Sequence, residues 1–279
     1  MFKRLFILAV MGLAVYYALL FAKAPQTFTL QTDRLPEASG LARSLMNDEI
    51  LFSHNDSGGE ASVFAIDTRG NLLAEIRLEG AKNRDWEEIA TAFDPITNTP
   101  YIYVGEIGDN GARYKHVSFY KFEEPDIIDS VIVIREFERI DYQYEDGPRD
   151  AEAFFVEPKT GDIYIISKRE EQVGIYHLAY PQATGEMLIA KKLGQMQMSW
   201  VTAADISPNG KYILVKNYAS VRKFRRSGSI AKTLSKKGKN LPYQLEPQGE
   251  AVCFDARGKG YFTLSEAAQD KAQILYYYK

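Results

Sequence analysis

Five carboxylates recur at one place in a repeating pattern along this chain: Glu37, Glu88, Glu152, Asp205 and Glu250, separated by 51, 64, 53 and 45 residues. Each opens a short run that is followed by a turn and then by a strongly aromatic or aliphatic strand, such as Tyr101-Ile102-Tyr103-Val104 after Glu88. Carboxylates that converge raise one another's pKa and repel until protons, basic side chains or a cation neutralise them. Hard oxygen donors of this kind, joined by Asn55 and Asn217 from neighbouring strand ends, suit Ca²⁺. Zinc or copper would call for histidine or cysteine at those positions. An acidic residue at a strand start can also cap a turn or bond backbone N–H groups between sheets, so that structural role stands beside the metal role.

A second tier of polar residues falls where the following strands end: Asn55 and Asp56, Glu106, Lys168 and Arg169, Lys216 and Asn217, Ser265 and Glu266. Lys168, Arg169 and Lys216 beside an acidic ring would either orient an anionic substrate or form ion pairs with the ring. His54 is the histidine placed to serve as a general base. Two segments, Ser53 to Gly59 and Gly105 to Gly111, end a strand in a polar, glycine-rich turn whose carboxylates and amides could ligate a cation or simply close a tight connection.

The elements that must position these groups read as strands. Beyond residue 26 there is almost no 3.6-residue periodicity, and β-rich runs alternate with turn signals such as Asp94-Pro95, Pro208-Asn209-Gly210 and Arg257-Gly258-Lys259-Gly260. Repeats of this length match the blades of a β-propeller with long loops. Each repeat has room for two further strands, such as Ser62 to Asp67 and Leu72 to Leu78 in the first. The last has room for three strands in all, and Thr27 to Thr32 would supply its outer strand and close the ring. The expectation is an all-β fold, a five-bladed β-propeller over residues 26–279; six blades, with the long interval between Glu88 and Glu152 divided, is the alternative. The first strand of each blade would line the channel and bring the five carboxylates to the axis.

Composition narrows the rest. With 46% hydrophobic residues and a formal net charge of −3, the chain is neither disordered nor a nucleic-acid binder on charge grounds. A single cysteine, Cys253, excludes a disulfide scaffold, and its apolar setting makes it a small core residue. Lys3 and Arg4 precede an unbroken apolar run from Leu5 to Ala22, the layout of a signal peptide, and the run is also long enough to span a bilayer. Residues 1–25 are therefore expected to be a cleaved signal or a retained membrane tether through residues 5–22. Either way the following domain lies outside the cytoplasm, periplasmic, secreted or anchored, and is expected to be monomeric. Arg222 to Lys239 carries eight basic residues in 18 positions, read as a solvated face or as contact with an anionic surface.

The acidic ring and strand pattern resemble the calcium-dependent propellers: β-propeller phytases, the paraoxonase and gluconolactonase group, and the five-bladed calcium-activated nucleotidases. Glu37-Ala38-Ser39-Gly40, and Asp85-Trp86-Glu87-Glu88-Ile89-Ala90 followed by Tyr103 to Asn110, also resemble secreted bacterial propellers with esterase-like or phytase-like labels. The resemblance implies a channel Ca²⁺ that activates water or polarises a substrate oxygen, held here by Glu37, Glu88, Glu152, Asp205 and Glu250. It implies hydrolysis of a phosphoester, lactone or similar ester, with a small anionic substrate. Five ring carboxylates exceed what one Ca²⁺ needs, so a second ion, a protonated member or basic partners must be supposed. The other class of function is a non-catalytic propeller scaffold with a structural ion, whose loop face binds a protein or glycan.

Overall fold

A computed structural model of the chain describes residues 24–268 and 271–279. The expected leader or tether falls mainly on residues 1–23, outside the described residues; among the described residues no helix is long and apolar enough to cross a membrane.

The described fold is all-β. After β1 (Gln26–Thr29), strands follow one another as antiparallel neighbours: β2 (Ala38–Arg43), β3 (Ile50–Asn55), β4 (Ser62–Asp67) and β5 (Leu72–Leu78), then β6 (Trp86–Phe93), β7 (Pro100–Glu106) and β8 (Val117–Glu123). Next come β9 (Val131–Ile134) and β10 (Glu138–Tyr144), then β11 (Ala151–Val156), β12 (Ile163–Ser167), β13 (Val173–Leu178) and β14 (Leu188–Met196). The chain ends with β15 (Val201–Ile206), β16 (Tyr212–Asn217), β17 (Ser220–Arg225), the short helix α1 (Ile230–Leu234), β18 (Lys239–Asn240), β19 (Gly249–Phe254), β20 (Tyr261–Ser265) and β21 (Ile274–Tyr278).

The sheet orders are β2-β3-β4-β5-β9, β15-β16-β17-β18 and β1-β21-β20-β19, with an eight-stranded sheet β11-β12-β13-β14-β10-β8-β7-β6. The eight-stranded sheet arises because β10 and β14 pair in parallel over Tyr142 to Tyr144, joining two four-strand groups along their outer edges. The long interval between Glu88 and Glu152 forms no further sheet. It supplies β9, which pairs in parallel with β5, and β10, which pairs with β8. At the other end β1 pairs antiparallel with β21, Gln26 opposite Tyr277 and Phe28 opposite Leu275. The first strand of the described chain thus covers an edge left by the last.

Five strands start their groups, and each packs on the next: β2 on β6, β6 on β11, β11 on β15, β15 on β19, and β19 back on β2. The apolar runs fill the spaces between groups. Phe119 stacks on Tyr142 at 5.2 Å and meets Phe154 at 4.7 Å, where the two four-strand halves of the eight-stranded sheet face each other at β8 and β11. Because such strands are covered on both faces, β2, β11 and β19 are buried along their whole length. Acidic residues at the turns hold the connections: Asp94 accepts from the N–H groups of Ile96 and Thr97, and Asp255 from those of Arg257 and Lys259. Cys253 is buried in the core, and Ser229 caps α1 within the basic segment.

Candidate functional site

A β-bulge at the start of the inner strands decides which side chains reach the centre. In β6, Trp86 pairs with Glu106 and Glu88 with Gly105, so Glu87 is left unpaired between them. The same shift leaves Glu152 unpaired in β11, Thr202 in β15 and Glu250 in β19, and in β2 it falls between Ser39 and Ala42. A bulge of this kind re-aims the extra residue and ends regular pairing. The residues in common register are therefore Glu87, Glu152, Thr202 and Glu250.

Around that register the carboxylates of Glu87, Asp150 and Glu152 each offer an oxygen within 4.8 Å of one another, and so do those of Asp56, Asp85 and Glu87. Glu87 belongs to both groups. Burial pushes its carboxyl well above the ordinary range, and the nearby Asp56 and Asp85 push it further. Burial, then repulsion from Asp85, raises Asp56 to about 6; burial and Asp150 raise Asp85.

Two cations answer part of this charge. Lys168 forms an ion pair with Glu152 and sits 5.6 Å from the Tyr218 ring centre. Arg169 donates from Nε to Asp150 Oδ2 at 2.5 Å, reaches Asn110 Oδ1 through Nη2, and lies 5.2 Å from the Trp200 ring centre. The compensation is incomplete. Among the described residues, Glu152 Oε2 is buried without a hydrogen-bond partner, and Glu87 forms no ion pair.

The glycine-rich loop after β7 walls the cluster. A Cβ at Gly108 would collide with Glu87 Oε1 and come within 2.6 Å of Asp85 Oδ2, so a larger residue there would push these two carboxylates aside. The next residue, Asp109, donates its N–H to Asp150 Oδ1 at 2.9 Å, while its carboxylate takes the N–H groups of Arg113 and Tyr114 and fixes the loop. This donor set is all carboxylate oxygen, with a buried oxygen unsatisfied, and fits a hard cation such as Ca²⁺. Glu87, Asp150 and Glu152 would hold it, with Asp56 and Asp85 alongside.

The structure brings some of the sequence-selected residues to this place and sends others elsewhere. Glu152, Lys168 and Arg169 are in it. Glu37 is exposed, and its N–H donates to Asn55 Oδ1 at 3.1 Å; the Asn55 amide donates to Arg34 O, so both its polar atoms hold the strand end. Asn217 likewise closes a turn, accepting from the N–H groups of Ala219 and Ser220 and donating to Ser199 O. Glu88 is fully buried, its Oε1 accepting from Leu41 N at 3.2 Å and its Oε2 from Ala204 N at 3.0 Å. Since β15 lies two places from β6 in the circle of strands, that carboxylate spans its interior. Asp205 accepts from Arg43 Nη1 at 3.3 Å and Phe254 N at 2.7 Å, joining β15 to β2 and β19. His54 is enclosed, its Nδ1 2.9 Å from Asn55 O and its ring edge-on to Trp86, and burial lowers it to about 4. The sequence reading passed over Asp85, Glu87 and Asp150 as site residues and left Asp56 in the second tier.

Glu250 accepts from Tyr218 OH at 2.6 Å and faces Glu266. Burial first, and then Glu250, push Glu266 up to about 8. The folded protein therefore keeps a proton that the unfolded chain releases near the ordinary 4.5. That contribution to stability is complete below the unfolded value and is lost as the pH rises through the folded one. Melting temperature measured in EDTA is expected to fall over this interval, and Glu266→Gln to make the fall shallower. An unchanged slope in the variant would contradict the proton held on Glu266.

No protein-family model matches this chain, and no curated protein matches it either.

Proposed function

We propose that the chain is an exported five-bladed β-propeller that holds Ca²⁺ through Glu87, Asp150 and Glu152 and hydrolyses an anionic ester, a phosphoester or lactone, as the calcium-dependent propellers it resembles do. Support for the blades comes from the closed circle of β2, β6, β11, β15 and β19 and from β1 joining the last sheet. Support for export comes from the basic flank and apolar run at the start of the sequence. The observation that carries the metal reading is Glu87 between two carboxylate groups, with Glu152 Oε2 buried and unpartnered.

When bound, the cation supplies charge that offsets negative charge developing on the ester oxygen. The chain's own residues do the rest. Asp56, partly exposed and raised to about 6, is ionised at neutral pH and accepts a proton from water. The water oxygen bonds to phosphorus or the acyl carbon, the bond to the leaving oxygen breaks, and the proton passes to that oxygen. Arg169 spends two of its donors on Asp150 and Asn110 and keeps the others for the anion.

A second reading rests on the same ion pairs: Lys168 and Arg169 already neutralise Glu152 and Asp150, as in a scaffold whose loop face binds a protein or glycan. Thermal unfolding in EDTA and then in rising Ca²⁺ separates the two, followed by turnover of 4-nitrophenyl phosphate and a γ-lactone. A calcium-dependent rise with turnover supports the hydrolase. A rise without turnover leaves a structural ion, and no rise removes calcium from the reading.

A further inference from the structure

Trp200 is presented at the rim of the carboxylate cluster in a way that packing does not explain. Its backbone is left-handed, with φ 56°, a conformation unfavourable for a bulky residue. The turn is held by its N–H, which donates to Lys168 O at 2.6 Å. Nearly half of the residue (48%) stays exposed, whereas the chain's other tryptophan, Trp86, is fully buried. The Arg169 guanidinium that lies over the indole is the same group that bonds Asp150, so the ring is tied to the cluster through one side chain.

An indole face beside a planar guanidinium favours flat π-systems by stacking and by cation–π attraction. We propose that Trp200 and Arg169 form a subsite for a planar aromatic ring carried by the anionic ligand, with its oxyanion directed to the Glu87, Asp150 and Glu152 centre. The ring half of this inference stands on Trp200 itself; the anion half rests on the function proposed above.

Isothermal titration with phenylphosphonate and methylphosphonate in Ca²⁺, and with the uncharged 4-nitrobenzyl alcohol, tests the two halves separately. Phenylphosphonate is expected to bind more tightly than methylphosphonate and to quench tryptophan emission. Trp200→Ala is expected to weaken phenylphosphonate about tenfold, matching the stacking magnitude, and to leave methylphosphonate unchanged, while Trp200→Phe keeps most of the affinity. Binding of 4-nitrobenzyl alcohol that depends on Trp200, without binding of methylphosphonate, supports the ring subsite and removes the anion reading. Equal affinities of the two phosphonates, unaltered in Trp200→Ala, overturn the subsite while leaving the anion reading in place.

Discussion

Glu87→Gln is expected to abolish the calcium-dependent rise in melting temperature while leaving the EDTA form as stable as the parent or more so. The argument is electrostatic. Glu87 is buried and sits between Asp56 and Asp85 on one side and Asp150 and Glu152 on the other. Without a cation its charge is desolvated and repelled, so a neutral amide of the same shape relieves the fold. With a cation, it is the oxygen donor that both carboxylate groups share. A ligand at a hundredfold excess over its Kd stabilises the native state by about 2.7 kcal/mol. For a domain of this size that is about 5–10 °C of melting temperature. Calorimetry of the parent and variant with EDTA or Ca²⁺ checks it. Retention of the full shift in Glu87→Gln would place the ion elsewhere.

Much of the architecture was legible because its signals are local. The runs Ser62 to Asp67 and Leu72 to Leu78 coincide with β4 and β5, and the segment at Thr27 does join the last sheet. Acidic turn residues such as Asp94 and Asp255 do what their side chains can do for a neighbouring N–H. The site was only partly legible, because a bulge moves a side chain by one place without leaving a mark in composition. Glu87 and Glu88 are both acidic, and spacing alone does not say which one the bulge turns toward the carboxylate cluster and which one it leaves to bond the inner strands. The paired motif Asp85-Trp86-Glu87 and Asp150-Ala151-Glu152 carried the missing information. Aligning those two triplets fixes the register at Glu87 and brings Asp85 and Asp150 with it. Glu37 and Asp205 lie three residues before and after the corresponding positions, which the intervals of 45 to 64 residues, lengthened unequally by loops, could hide. The pairing of Lys168 with Glu152 was among the readings open from sequence; that of Arg169 with Asp150 needed the fold.

The neighbouring residue is expected to behave in the opposite way. Glu88 lies in the interior of the circle of inner strands, where its two oxygens take the N–H groups of Leu41, Ile89 and Ala204, from β2, β6 and β15. Gly40, with φ 73°, lets β2 come close enough that a Cβ would stand 2.9 Å from the same carboxylate oxygen. Burial raises the Glu88 carboxyl well above its ordinary range against the pull of these N–H groups, and because the backbone already takes both its oxygens the group is not an open ligand. Glu88→Ala orphans those three N–H groups, and at about 1–2 kcal/mol for each buried unsatisfied donor the loss is about 3–6 kcal/mol. That corresponds to a fall of about 10–20 °C in melting temperature. Glu88→Gln should fall between: its amide oxygen can still serve Leu41 and Ile89, but the NH₂ then faces the Ala204 N–H, donor against donor. Both variants are expected to keep the calcium-dependent rise on top of their lowered baseline, since the cluster at Glu87, Asp150 and Glu152 is untouched. Two adjacent glutamates on one strand would then divide the work, one bonding the inner strands together and the other binding the ion. A Glu88→Ala protein that melts like the parent but has lost its calcium response would reverse that division and return the metal to the register first read from the sequence.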